Sequence, residues 1–180
     1  FADDSTATGR LHAMRQWWDR LCAEGPKFGY FPRQDKTWLV VKPHLLAEAR
    51  LVFDGVDLNI THDGRPYLGA GLGDRAFINV FVEKKVSAWV KMIQHLSKVA
   101  QTQPQAAYSA FTHGISSKWT YLSRVVPGVS NYLQPLEDAI CQHFIPALTG
   151  QPPVGDLQRR LLALPARLGG LGLRSEEHTS

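Results

Sequence analysis

Three groups of residues in this 180-residue chain have types and spacings that could do chemistry. The first is Asp3-Asp4, two carboxylates that directly follow Phe1-Ala2. Two acids at a tight turn after an apolar pair can both reach a divalent cation. Mg²⁺ takes oxygen ligands, usually one or two carboxylates plus substrate phosphates, and a pair of such ions brackets an in-line phosphoryl transfer. A lone Asp-Asp is more often a solvated turn. The second group is Lys36, flanked by Asp35 and Thr37. An ammonium there could neutralise a triphosphate or give up a proton once desolvated; its plain reading is an exposed loop lysine. The third is Tyr67-Leu68-Gly69. Glycine lets a backbone come close to a ligand, and the alternative is ordinary hairpin packing.

Charge adds a further signal. Residues 1–73 balance nine basic groups against nine acidic ones. Residues 74–125 hold seven basic groups, Lys84, Lys85, Lys91 and Lys98 among them, against Asp74 and Glu83. A local excess of this kind suits contact with a phosphate backbone better than general solubility. A solvated lysine-rich helix face would look the same.

The composition excludes several classes. Hydrophobic residues make up 44% of the chain, too many for a disordered polyelectrolyte. No apolar run is long enough to span a bilayer. Two cysteines, Cys22 and Cys141, cannot build a disulfide framework, and the acidic opening is unlike a secretory signal, so an intracellular setting is expected. The histidines show no zinc-ligand spacing.

The elements that must position these groups read as follows. Leu11, Met14, Trp18, Leu21 and Cys22 mark one stripe of a first helix, ended by Gly25-Pro26. Thr37–Val41 is a short buried strand. A second helix spans Pro43 to Phe53. Leu58–Thr61 and Pro66–Gly69 flank His62-Asp63-Gly64-Arg65, where Asp-Gly signals a hairpin turn. From Phe77 to Leu96 a helical period takes over and runs to Gln103-Pro104. More helices fit 105–112, 118–125 and 132–148, with Pro146 bending or shortening the last, and 157–164. The expected fold class is α+β: a small antiparallel sheet with packed helices over residues 1–73, then an all-helical region over 74–173. The last seven residues, 174–180, match the translation of a sequencing-adapter oligonucleotide and are expected to be a non-native tail.

The order of these features resembles the C-terminal half of a retroelement reverse transcriptase catalytic domain. There a [Tyr/Phe]-Ala-Asp-Asp box forms the catalytic hairpin of the palm. A helix, a Gly-to-Lys loop and a strand follow, then a Leu-Gly hairpin that grips the primer, then a helical thumb. The resemblance implies an RNA-directed DNA polymerase using two Mg²⁺ ions, with RNA template, DNA primer and dNTPs as partners and no membrane. It makes Asp3 and Asp4 the metal ligands and catalytic acids, and sets Lys36 near the incoming triphosphate. Phe1 packs beside the primer end without the commoner tyrosine hydroxyl. Tyr67, Leu68 and Gly69 hold the primer backbone, while Lys84, Lys85 and Lys91 meet nucleic acid. The family also needs an Asp on a strand upstream of the box, so the 180 residues are expected to be inactive alone. The competing reading is a non-catalytic basic helical module that grips nucleic acid, with Asp3-Asp4 incidental.

Overall fold

A computed structural model describes residues 5–153 and 155–175. They divide into two compact units: residues up to 65 with 72–77, and residues 66–71 with 78 onward.

In the first unit, helix α1 spans Leu11–Glu24. Leu11 and Trp18 are buried on the expected stripe, with Met14 and Cys22 partly covered beside them. The α-helix ends at Gly25-Pro26 as expected, and a 3₁₀ turn, Gly25–Phe28, leads on to Gly29, which is left-handed at φ 77°. Strand β1 (Trp38–Val40), helix α2 (Leu46–Val52) and strand β2 (Asn59–Thr61) follow.

In this α+β chain the antiparallel pairing expected of the sheet holds for the later two-stranded hairpin but not for these strands. β1 and β2 run parallel, with Leu39 opposite Ile60. The cause is α2 between them. A strand that returns through a helical crossover re-enters the sheet in the same direction. Ala49 and Phe53 join Leu11 and Trp18 in one core, against which Leu39 and Ile60 pack.

The hairpin turn also lies elsewhere than Asp63-Gly64. Strands β3 (Gly64–Tyr67) and β4 (Ala70–Gly73) pair around Leu68-Gly69. Leu68 has φ 47° and Gly69 φ 82°. Positive φ at both central positions is the geometry that a two-residue hairpin of right-twisted strands requires. Leu68 is the one non-glycine residue with positive φ among those described, a strain of about 1 kcal/mol. His62-Asp63 instead makes a bend between β2 and β3, and Gly64 opens β3. Gly64, at φ 150°, lies where a Cβ would meet the Phe77 ring at 2.6 Å and the Leu72 carbonyl at 2.7 Å. Gly64→Ala is therefore expected to destabilise the first unit by about 2 kcal/mol or more, read as a lowered denaturation midpoint. An unchanged midpoint would show that the close approach is not needed.

The second unit is helical. Most of α3 (Arg75–Ala100) belongs to it, and buries Val82, Val86, Trp89 and Ile93 at helical spacing. α4 (Pro104–Ser109) passes through a π turn, Ala110–Ile115, into α5 (Ser116–Val125). α6 (Gln134–Ala139), a π turn at Ile140–Phe144 and α7 (Ile145–Thr149) run on in the same way. Pro146, expected to bend or shorten this helix, stands in the first turn of α7, directly after the π turn. A proline ring clashes with the carbonyl four residues back, and a wider turn at that point gives it room. α8 spans Asp156–Ala163. Phe111 is the centre of the core. Its ring stacks on Phe144 at 4.9 Å and meets Trp119 at 5.7 Å, and Trp119 in turn meets Trp89 edge-on at 6.0 Å. No helix among the described residues is long and apolar enough to cross a membrane.

Candidate nucleic-acid interface

The β3–β4 turn presents Tyr67, Leu68 and Gly69 to solvent; Leu68 is 61% exposed. The tip is held in place. The Tyr121 hydroxyl of α5 donates to the Leu68 carbonyl at 2.5 Å. A strained, exposed leucine with its carbonyl tied from beneath is a fixed projection rather than a loose loop.

α3 begins just after β4. Asp74 caps it, its carboxylate accepting from the Phe77 N–H at 2.7 Å. Lys84, Lys91 and Lys98 fall seven residues apart, hence on one stripe, and all three are exposed. Lys85 differs from these three. It is half-buried, its ammonium 5.3 Å above the Phe81 ring, a contact that stabilises the helix surface more than it offers charge to a ligand. Phe81 and Leu96 are half-buried.

Lys36 lies in the first unit, at the end of a 3₁₀ turn, Gln34–Lys36. Its neighbour Asp35 is held by Arg33 through two hydrogen bonds of 2.9 and 2.7 Å. The hydrogen bond from Arg33 keeps the Asp35 carboxyl below its usual range. Lys36 itself is exposed. The loop under it is anchored: Asn59 donates through Nδ2 to the Asp35 and Thr37 carbonyls, and the Thr37 hydroxyl donates to the Arg33 carbonyl at 2.7 Å. Arg65 stacks its guanidinium 3.9 Å above the half-exposed Trp38 ring of the same unit. Neither residue stood out in the sequence, because they are far apart along the chain.

Phe1, Asp3 and Asp4 lie outside the described residues. The donor set they offer is two adjacent carboxylates, hard oxygen ligands of the kind Mg²⁺ takes. Among the described residues no three His, Cys, Asp or Glu side chains come together as a metal site.

The best-satisfied polar cluster is one that sequence reasoning missed. Glu137 on α6 and Arg159 on α8 are both buried, and meet through Nε–Oε1 at 2.5 Å and Nη2–Oε2 at 2.7 Å. Arg159 also donates to the Leu173 carbonyl at 2.7 Å, and the Cys141 thiol donates to Glu137 at 3.0 Å. Burial alone would raise the Glu137 carboxyl; hydrogen bonds from Arg159, Ser175 and Cys141 outweigh it and hold the group below its ordinary value. Burial, with the hydrogen bond to Glu137, pushes the Cys141 thiol up to about 11. Residues 171–175 are drawn into this packing. Tyr108 donates to the Leu171 carbonyl, Trp119 Nε1 donates to the Arg174 carbonyl, and Ser175 is fully buried. The cluster is structural: its acid is paired and its thiol protonated.

No family model matches the chain, and no curated protein or solved structure is significantly similar to it.

Proposed function

We propose that this chain is part of a retroelement RNA-directed DNA polymerase, running from the catalytic hairpin of the palm through the primer grip into the thumb. The reaction is templated addition of deoxynucleotides to a primer 3′-OH. One observation carries the reading: a two-residue hairpin turn that holds Leu68-Gly69 outward, with its carbonyl fixed by Tyr121, directly before a long helix bearing a stripe of lysines. That arrangement fits a part that holds a primer backbone, and it follows the Phe-Ala-Asp-Asp box in the order the family has. The anchored loop under Lys36 adds support, since a cation meant for a triphosphate needs a fixed base.

Asp3 and Asp4 are the residues that would hold Mg²⁺. The ion, when bound, neutralises phosphate charge and orients the attacking and leaving oxygens. Lys36 supplies further positive charge to the triphosphate, and Tyr67 to Gly69 hold the primer.

The test is primer extension on an RNA template with Mg²⁺. The 180 residues alone should give no product, because two carboxylates hold Mg²⁺ poorly without further ligands. A chain extended upstream through a strand carrying the additional Asp should give product, and chelation should stop it. An extended chain that binds primer–template yet never extends it would leave the non-catalytic binding module as the better reading.

A further inference from the structure

An open pocket of about 400 Å³ lies in the first unit, between the last two turns of α1 and the 3₁₀ turn Gly25–Phe28. Trp17, Arg20, Leu21 and Glu24 stand at i, i+3, i+4 and i+7, and so share one side of α1. Phe28 and Tyr30 line the pocket from the turn and the chain after it. Gly25 lets that wall come close: a Cβ there would meet the Tyr30 carbonyl at 2.7 Å. Trp17 and Phe28 are both exposed, Phe28 to 85%. Aromatic rings left in water around a hollow are surface that a ligand can cover.

The charges narrow the ligand. Glu24 is already held, since Lys27 donates to both of its oxygens at 2.9 and 2.8 Å. Asp19, the other acid of α1, is held by Arg15 at 2.9 Å. Arg20 has no hydrogen bond or ion pair among the described residues. The pocket therefore offers the rings of Trp17, Phe28 and Tyr30 with one free guanidinium beside them. A cationic guest would meet Arg20 with no free acid to offset it. A neutral guest would take water from the guanidinium and return nothing. A carboxylate is planar, meets the guanidinium fork at two points and carries a single charge. The volume is near the small end of ligand sites, about 300–1,000 Å³, which limits the guest to one or two rings.

We propose that this pocket binds an aromatic monocarboxylate, with the ring against Trp17, Phe28 and Tyr30 and the carboxylate on Arg20. The proposal goes beyond the polymerase reading and uses none of its residues.

Naphthoate and its neutral analogue naphthamide, titrated into the full chain and followed by the tryptophan indole N–H signals in NMR, test it. Naphthoate should move the Trp17 signal and leave those of Trp38, Trp89 and Trp119 in place. It should bind about tenfold more tightly than naphthamide, the worth of hydrogen bonding to a charged group. Added salt should erode that advantage. Arg20→Gln should bring naphthoate down to the naphthamide value. Arg20→Lys should fall between, because an ammonium keeps the charge and loses the fork. Trp17→Ala, read on the Leu21 backbone amide, should weaken both probes about tenfold. Arg20 is exposed, so the melting curves of its variants should match the parent. Equal affinity of the parent for the two probes, a preference that survives Arg20→Gln, or a Trp17 signal that never moves would each overturn the proposal. So would naphthoate shifts shared by all the tryptophans, the mark of non-specific adsorption. No readout involves primer extension, so a failure of the polymerase reading stays separate from a failure of the pocket.

Discussion

Replacing Arg159 with alanine is expected to cost about 3–5 kcal/mol, the usual penalty for removing one partner of a buried ion pair. The pair is nearly sealed from water, with Arg159 5% and Glu137 6% exposed. The loss would leave a buried carboxylate without its counter-charge and the Leu173 carbonyl without its donor. The melting temperature should fall by roughly 10 °C. Arg159→Lys should rescue little, because a lysine cannot reproduce the two-point contact. Glu137→Leu combined with Arg159→Met should cost much less than the single changes together, since an apolar pair carries no desolvation penalty.

The same pair predicts an acid limb. The Glu137 carboxyl sits below its ordinary 4.5 in the folded chain. Its contribution is therefore fully present above the unfolded value near 4.5, and is lost as pH falls through the depressed folded value. Melting curves of the parent should weaken over that acid window, and those of Glu137→Gln should be flatter there. Cys141 offers a second readout. Its thiol is held protonated by burial and by Glu137, so alkylation at neutral pH should be slow in the parent and faster in Arg159→Ala. A parent-like melting temperature and unchanged alkylation in that variant would show that the pair contributes nothing.

The helices were legible where a single face carries the apolar residues. Leu11 and Trp18 on α1, and Trp89 and Ile93 on α3, fall at the spacing that burial requires, and the structure buries them. The strands were found but not their pairing. Parallel or antiparallel pairing depends on what lies between two strands, and α2 had to be read as a crossover rather than as a helix beside a hairpin. The turn was misplaced because Asp63-Gly64 has the stronger local signal, whereas Leu68-Gly69 has the right spacing between β3 and β4. A leucine at positive φ is set by the surrounding pairing and by Tyr121, not by its own preference. α8 shows the limit most plainly. Leu157 and Leu161 suggest the buried face, yet they are 74% and 51% exposed, while Arg159 points inward. That orientation follows from Glu137, more than twenty residues earlier, and no local pattern encodes it. The lysine stripe of α3 and the hairpin tip were legible as residues. The stack of Arg65 on Trp38 needed the fold.

Catalysis should respond most strongly to Asp3. In a chain extended upstream, Asp3→Asn is expected to abolish primer extension, a fall of at least a thousandfold on the scale of a lost charge-stabilising group. The exchange keeps the shape of the side chain and removes the charge a hard cation requires. Asp4→Asn should weaken or abolish extension, since the second acid has the looser role. Lys36→Ala should slow extension about 10²-fold by removing one cation from the triphosphate site. It should leave the melting curve alone, because Lys36 is exposed and its loop is tied by Arg33, Thr37 and Asn59 rather than by its own ammonium. If the extended Asp3→Asn enzyme polymerised at the parent rate, the metal-ligand role would be wrong, and the basic helical unit would stand as a binding module in its own right. If only Lys36→Ala were silent, the triphosphate role would pass to another cation, and the half-buried, stacked guanidinium of Arg65 in the same unit would be the next residue to replace.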